Sequence, residues 1–153
     1  MDIYHLLKVD YSEQGKVIEV SVHGRMVAQT VIYSGVDYRG EKWYYTQEGH
    51  KYIRDSRRGR VQQQFVEAYL GKIPVIVQQP VAVGKDASQD ENHLYFGEIP
   101  IAEHGRRKEL FAVVMKKTNV NVVWNFYWLE GHKIPRRVEI LFRTRVARRY
   151  LRG

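Results

Sequence analysis

The sequence predicts an α+β fold with an N-terminal β meander, then a basic helix followed by a four-stranded antiparallel sheet, and an arginine-rich C-terminal element. Three observations support this order. β-branched and aromatic residues alternate between glycine turns in the first third of the chain, apolar residues take a helical spacing after Gly49, and four strand-like runs follow. The 153 residues suit a single domain, with a β extension over 1–47, a helix plus antiparallel sheet over 48–130 and a basic C-terminal element over 131–153.

The β extension consists of three runs separated by glycine turns. The runs are "KVIEVSV", "RMVAQTVIYS" and "EKWYYTQ", and the turns are "VHGR" and "YRGE". β-branched and aromatic residues fit a pleated, half-buried surface, and glycine supplies the backbone freedom that tight turns need. These runs therefore predict an antiparallel meander.

The period changes between Gly49 and Leu70, where apolar residues recur at helical spacing. The predicted helix ends at Gly71 and is closed off by Pro74, and Gly59 is a candidate break within it. Three basic residues share one face of this helix: Arg54, Arg57 and Arg58. That face is either a solvated surface or part of a nucleic-acid-binding surface.

Four runs after the helix read as strands: "IPVIVQQPVAV" (73–83), "NHLYFGEIPI" (92–101), "KELFAVVMKK" (108–117) and "VNVVWNFYWLE" (120–130). Polar or basic segments separate them, which favours antiparallel hairpins. In the last run, period-two alternation predicts that Asn125 and Tyr127 share one face, with Trp124, Phe126 and Trp128 on the other.

The positive charge is concentrated at the C-terminal end. Residues 133–153 hold seven Arg and one Lys against one Glu, although the whole chain carries a net charge of only +8. Because a solvated face usually mixes both signs, this segment points toward a polyanion, although it would also solubilise a terminal element. Its pattern over 136–152 fits either a helix or a strand, and we favour a strand that turns into a short helix. Its candidate nucleic-acid-binding residues are Arg143, Arg145, Arg148 and Arg149.

Several classes of protein and site fit the sequence poorly. Without cysteines the chain has neither disulfides nor thiolate metal ligands, and its six histidines lack the i, i+4 spacing of a helical zinc pair. We therefore expect no metal and no cofactor. No run approaches the 18 or so apolar residues of a membrane span, and the first residues do not read as a signal peptide. The expectation is a cytoplasmic protein with no membrane partner.

A basic helix with a histidine in "EGHKYI", followed by four strands of which the last contains "VVWNFY", resembles the small ribonuclease fold shared by barnase, EndoU, the colicin E5 and colicin D nucleases and RelE. The resemblance covers residues 43–130 and is greatest to the phage-associated and polymorphic-toxin branches. It implies a metal-independent endoribonuclease of toxin or phage type. A cognate antitoxin or another protein partner is then possible.

The resemblance also implies which residues form the site. The matching catalytic positions are His50, Lys108, Lys116, Asn125 and Tyr127, and Arg107 beside Lys108 is a further nucleic-acid-binding candidate. Asn125 stands where these families often have a hydroxyl residue, which leaves a non-catalytic binding version open. The helix is expected to bring His50 toward the strand that carries Asn125 and Tyr127.

The residue types suit RNA cleavage on chemical grounds as well. Cleavage without a metal needs a base for the ribose 2′-OH, cations for the charge on the phosphorane and an acid for the leaving 5′ oxygen. His50 suits either proton transfer, and lysine and arginine suit the charge. Because DNA lacks the 2′-OH, RNA is favoured over DNA as the partner. The alternatives are a non-catalytic nucleic-acid-binding protein and a protein-inhibitor module that uses the same basic surface.

Overall fold

The computed structural model describes residues 9–151, which form an α+β fold with one eight-stranded sheet and two α-helices. The strands are β1 (Val17–Val22), β2 (Arg25–Val36), β3 (Lys42–Thr46), β4 (Ala82–Asp86), β5 (Asn92–Ile101), β6 (Arg107–Lys117), β7 (Asn121–Trp128) and β8 (Val138–Arg143). The helices are α1 (Gln47–Arg57) and α2 (Ile73–Gln78), with 3₁₀ segments at Val61–Lys72, Ala102–His104 and Arg145–Arg149. Residues 1–8 of the predicted β extension and residues 152–153 of the predicted basic element lie outside the described residues.

The strands form one sheet in the order β1-β2-β3-β7-β6-β5-β4-β8. All neighbours are antiparallel except β3 and β7, which run parallel where Tyr44 pairs with Val122. The antiparallel strands predicted over 92–101, 108–117 and 120–130 are present as β5, β6 and β7, but they belong to a sheet of eight strands rather than four. The N-terminal meander exists as predicted, but its last strand pairs with β7 and extends the same sheet. Such a long-range parallel pairing leaves no local signal in the sequence.

The predicted helix over 49–70 divides into two parts. Helix α1 begins after Thr46, whose hydroxyl oxygen accepts a hydrogen bond from the Gly49 N–H at 3.0 Å, and it ends at Arg57. Gly59 has a φ of +79°, a left-handed conformation that glycine adopts without a steric penalty, so the helix cannot continue through it. The chain resumes as the 3₁₀ segment Val61–Lys72, and the split at Gly59 agrees with the prediction.

The run 73–83 was predicted as a strand, and this is wrong for its first half. Residues Ile73–Gln78 form helix α2, with Pro74 in the first turn, where a missing N–H costs nothing. The side chain of Ile76 packs against Gly97 of β5, where an added Cβ would lie 2.6 Å from Ile76 Cγ1. The pattern of a short buried apolar run fits either a helix or a strand, and here packing of Ile76 against the sheet favours the helix.

Apolar clusters cover the two faces of the sheet. We call the face covered by the helices the helix face and the face covered by the C-terminal segment the tail face. On the helix face, Ile53, Val66, Ile76, Phe111, Val113, Met115 and Phe126 are buried together. On the tail face, Leu94, Phe96, Leu110, Ala112, Ile134, Ala147 and Tyr150 are buried together. Alternation along β5 and β6 produces this division.

The C-terminal element is a strand followed by a short 3₁₀ segment, which confirms the favoured prediction. Strand β8 pairs with β4 at one edge of the sheet, and Arg145–Arg149 turns back onto the tail face. Ala147 and Tyr150 are buried there, whereas the arginines of the segment are exposed. Within residues 9–151, no helix is long and apolar enough to cross a membrane.

Candidate functional site

A pocket of about 370 Å³ lies on the tail face, beyond the part that the C-terminal segment covers. We call it the Lys116 pocket. It is lined by His23, Tyr52, Asp86, Gln89, Asn92, Leu94, Val114, Lys116, Trp124, Asn125, Tyr127 and Arg137. Three of the five predicted catalytic residues, Lys116, Asn125 and Tyr127, therefore lie together in one concavity. The remaining lining residues come from several different parts of the chain.

A β-bulge in β7 shapes one wall of the pocket. Val114 pairs with Asn125 and the next residue, Met115, pairs with Val123, so Trp124 is the extra residue. The bulge turns Trp124 to the same pocket as Asn125 and Tyr127, whereas Phe126 is buried on the helix face. The prediction that Trp124 and Phe126 share a face is therefore wrong. A bulge breaks the period-two alternation from which it was drawn.

Lys116 lies in the floor of the pocket with a side chain that is only 2% exposed. Its Nζ donates a hydrogen bond to Glu91 Oε2 at 3.2 Å and lies 4.8 Å from the centroid of the Trp124 ring. Both Glu91 oxygens also accept the His23 backbone N–H, at 3.2 Å each. Burial opposes ionisation of Glu91, but these hydrogen bonds outweigh it and hold its pKa below the ordinary value.

Asp86 and Arg137 form the opposite side of the pocket. One oxygen of Asp86 accepts hydrogen bonds from the Ser88 N–H at 2.9 Å and the Ser88 hydroxyl at 2.7 Å, and it lies 3.5 Å from Arg137 Nε. Burial raises the pKa of the Tyr127 phenol, and the nearby Arg137 only partly offsets this. Tyr127 therefore remains protonated near neutral pH and can donate a hydrogen bond to a ligand.

Helix α1 supplies the third wall because it lies along the edge of β7. Strand β3 pairs with β7 only at Val122, and beyond that point α1 takes its place: an added Cβ on Gly49 would lie 2.7 Å from the Val123 carbonyl oxygen. This close approach places the Tyr52 ring 5.7 Å from that of Trp124, with 47% of Tyr52 exposed. Further along the helix, the Ser56 hydroxyl donates to Asn125 Oδ1 at 3.5 Å.

Two of the predicted catalytic residues do not line this pocket. His50 lies in the first turn of α1, where its Nδ1 is 2.7 Å from the hydroxyl of Tyr45, a buried residue of the helix face. Lys108 is exposed near the start of β6, and Lys116 lies eight positions further along, which is roughly 27 Å of strand. The structure thus does not bring His50 and Lys108 together with Lys116, Asn125 and Tyr127.

The predicted nucleic-acid-binding arginines are spread over several surfaces. Arg54 forms an ion pair with Glu67 at 2.8 Å. Weaker contacts of 3.7–3.8 Å join Arg58 to Asp55, Arg107 to Glu109 and Arg149 to Glu98. Arg143, Arg145 and Arg148 are exposed. Arg57 is the exception, because it is buried at 6% exposure.

A second cluster of ionisable groups lies near the start of β6. The carboxylate of Glu109, only 1% exposed, contacts His104 Nδ1 and lies 3.5 Å from His132 Nδ1. The Trp128 ring lies between the two imidazoles, at 5.1 Å and 6.1 Å. The two imidazoles thus lie beside the buried carboxylate of Glu109 and are its nearest partners of opposite charge type when protonated. Within residues 9–151, no three His, Asp or Glu side chains converge in an arrangement that could hold a metal ion.

Sequence reasoning missed most of the rim of the Lys116 pocket. Trp124 was placed on the face opposite Asn125 and Tyr127, Tyr52 was given no role, and His23 has no partner within its own turn. Arg137 was counted only as part of the tail charge. The "VHGR" turn and the "PRR" run were the available signals, but neither indicates which face it would join. Comparisons of the chain with protein-family models, with curated proteins and with solved structures found no match.

Proposed function

We propose that this protein binds single-stranded nucleic acid, with RNA favoured over DNA, in the Lys116 pocket. The observation that carries the proposal is the combination of two adjacent aromatic rings with two cations in one concavity. Tyr52 and Trp124 supply the rings, and Lys116 and Arg137 supply the cations. This combination is typical of sites where a base stacks on an aromatic side chain while the backbone meets positive charge.

The exposed ring of Tyr52 supports stacking as the main source of affinity. A large aromatic side chain that is half exposed and lines a concavity has its face available to a ligand. The cations of the pocket are each near a carboxylate, Lys116 at Glu91 and Arg137 at Asp86, so charge alone contributes modestly inside it. The exposed arginines of the C-terminal element add the long-range attraction that a polyanion would feel.

The polar groups of the wall favour RNA. The hydroxyl of Tyr127 and the amide of Asn125 line the pocket at positions where they can meet a ribose 2′-OH, which both donates and accepts hydrogen bonds. The resemblance to small ribonucleases points to the same class of ligand. Both a non-catalytic RNA-binding protein and a ribonuclease would bind RNA in this way, and they differ only in whether the bound RNA is cleaved.

Fluorescence anisotropy with a labelled single-stranded oligoribonucleotide tests the binding proposal. Tyr52→Ala should weaken binding by about 5- to 150-fold, because stacking on an aromatic residue contributes about 1–3 kcal/mol per base. The matched control is Tyr11→Ala, which removes a tyrosine of similar exposure, 55%, that lies against Tyr33 and outside this pocket. Equal affinity of both variants and the wild type would remove the pocket from RNA binding.

RNA cleavage is the second candidate function, and the position of His23 favours it. His23 lines the pocket, is 66% exposed, and holds its Nδ1 3.7 Å from Glu91 Oε2. It is thus an imidazole beside a carboxylate that also pairs with the Lys116 ammonium, and these groups supply the base and one cation of metal-independent transphosphorylation. His23 would take the proton of the 2′-OH while that oxygen attacks phosphorus and the bond to the 5′ oxygen breaks; the 5′ oxygen would take a proton from water, so the products are a 2′,3′-cyclic phosphate and a 5′-OH.

Incubation with RNA in the presence of a chelator, followed by analysis of the fragment ends, tests cleavage. His23→Asn is the informative variant, because His23 has a φ of 51° and asparagine tolerates this left-handed conformation. We expect it to slow cleavage by about 100-fold or more while RNA affinity stays the same. His50→Asn serves as the comparison and separates the residue predicted from the sequence from the one in the pocket. If only His50→Asn loses activity, the role of His23 is refuted.

A further inference from the structure

Arg57, the last residue of α1, is a buried cation without an acidic partner. It is 6% exposed, and its closest polar contacts are 3.5 Å from Nη1 to Gln63 Oε1 and 3.5 Å from Nη2 to Ser56 Oγ. Its Nε is buried and has no hydrogen-bond partner among the described residues. Arg57 takes part in no ion pair within residues 9–151, and Glu67, which lines the same pocket, pairs with Arg54 instead. Five N–H donors therefore share two long contacts.

Such an arrangement is costly in the protein alone. An ionised side chain that leaves water needs a compensating charge or good hydrogen bonds, and neither is present. Burial, and then the nearby Arg60, lower the pKa of Arg57, which shows that its surroundings disfavour the charge. Arg54 and Arg58 line the same pocket of about 200 Å³, together with Glu67, which pairs with Arg54 at 2.8 Å, so three arginines there meet one glutamate. An anion with several oxygen acceptors would compensate the guanidinium, whose fork matches phosphate geometry.

Arg57 also adjoins the Lys116 pocket. Its guanidinium carbon lies 5.8 Å from the centroid of the Tyr127 ring, which lines that pocket. Its neighbour Ser56 donates to Asn125, another residue of the same wall. A nucleic-acid strand with one base stacked on the exposed ring of Tyr52 could therefore continue past Tyr127 toward Arg57.

We propose that Arg57, with Arg54 and Arg58 at its margin, forms a second phosphate subsite, and that the ligand is an oligonucleotide spanning both sites rather than a mononucleotide. This inference rests on the proposed function for the first site. The phosphate at Arg57 is recognised by charge and by the guanidinium fork, so the subsite adds affinity without reading the base.

The test compares ribonucleotide ligands of one, two, four and eight residues with the same base. In the wild type, affinity should rise sharply once the ligand is long enough to reach Arg57. Arg57→Met should remove that increase, about 10- to 100-fold, so that the longer ligands bind no more tightly than a mononucleotide. Arg57→Lys, which keeps the charge and loses the fork, should retain part of the increase. Lys116→Met should weaken ligands of every length.

Thermal unfolding distinguishes a ligand site from a structural role. Because Arg57 is buried without an acidic partner, Arg57→Met should not lower Tm, whereas loss of a structural residue would. Inorganic pyrophosphate should raise the Tm of the wild type and not that of Arg57→Met. A pyrophosphate shift of equal size in both proteins, or a lowered Tm with an unchanged dependence on ligand length, overturns the subsite.

The two proposals fail differently. If the wild type binds no RNA of any length yet shows the pyrophosphate shift that Arg57→Met abolishes, the RNA-binding function is wrong and the phosphate subsite stands. If RNA binds but Arg57→Met behaves as wild type, the subsite is wrong and the function stands. If neither RNA nor pyrophosphate has an effect, both are wrong.

Discussion

Gly49 sets the distance between α1 and β7, and replacing it with alanine should loosen the wall of the Lys116 pocket. An added Cβ would lie 2.7 Å from the Val123 carbonyl oxygen and 3.1 Å from the Thr46 hydroxyl oxygen that caps the helix. The first contact is with strand backbone, which cannot move aside as a flexible side chain would. Helix α1 must therefore shift away from β7.

The magnitude follows from two opposing effects. Alanine is favoured over glycine inside a helix by about 1 kcal/mol. Overpacking typically costs about 1–3 kcal/mol, and a contact with rigid backbone belongs in the upper half of that range. The net loss in the free energy of unfolding is then about 1–2 kcal/mol, which lowers Tm by roughly 2–8 °C for a chain of this size.

Denaturant unfolding and the anisotropy assay measure both consequences. Gly71→Ala is the matched control: Gly71 also lies in a helical segment, an added Cβ there would meet nothing within 4 Å, and its φ does not require glycine. We expect Gly71→Ala to be neutral or stabilising by about 0.4–1 kcal/mol. Because the shift of α1 moves Tyr52, Gly49→Ala should also weaken RNA binding. A Gly49→Ala protein as stable as Gly71→Ala would refute the close approach of α1 to β7.

Two further predictions concern acid stability and the salt dependence of binding. Burial acts to raise the pKa of Asp86, but the hydrogen bonds from Ser88 and the nearby Arg137 outweigh burial, and the net pKa is lowered. The contribution of Asp86 to stability is therefore present above the unfolded pKa near 3.8, and it is lost as the pH falls through the folded pKa. The stability difference between wild type and Asp86→Asn should therefore shrink as the pH falls below about 4 in denaturant titrations; a constant difference would contradict this. Replacing the tail arginines with glutamine should flatten the log–log salt dependence of RNA binding by roughly 0.7 for each phosphate that the variant no longer neutralises, and an unchanged slope would exclude the tail from the interface. Those arginines are Arg143, Arg145, Arg148 and Arg149.

The parts of the fold that were predicted from the sequence have local causes. Glycine turns and alternation predicted the meander, Gly59 predicted the break after α1, and the tail pattern predicted a strand followed by a short helix. The failures have non-local causes. Nothing near Tyr44 indicates that it pairs with Val122, and the apolar run of α2 takes its conformation from packing against Gly97. Contacts between distant segments decided each of these.

The site divides in the same way. Lys116, Asn125 and Tyr127 line one pocket because the neighbouring strands β6 and β7 carry them. His50 was expected beside them because burial of the helix's apolar residues against the sheet would turn the start of the helix toward the sheet's edge. A residue in a first helical turn can face either way, however, and the Nδ1 of His50 meets Tyr45. Trp124 was misplaced by a bulge that no periodicity shows. His23, the histidine of the pocket, lies in the β1–β2 turn, far in sequence from the strands that carry the other pocket residues, so no local pattern places it there.

Helix α1 contacts both faces of the sheet, so packing on one face affects the pocket on the other. Ile53 is buried on the helix face, while Tyr52 and Ser56 of the same helix face the Lys116 pocket. The helix can take this position only because β3 leaves the edge of β7 after Val122. Core packing around Ile53 therefore fixes the wall that a ligand would meet. A core substitution that lets α1 slide should weaken binding at the pocket even where no residue of the pocket has changed.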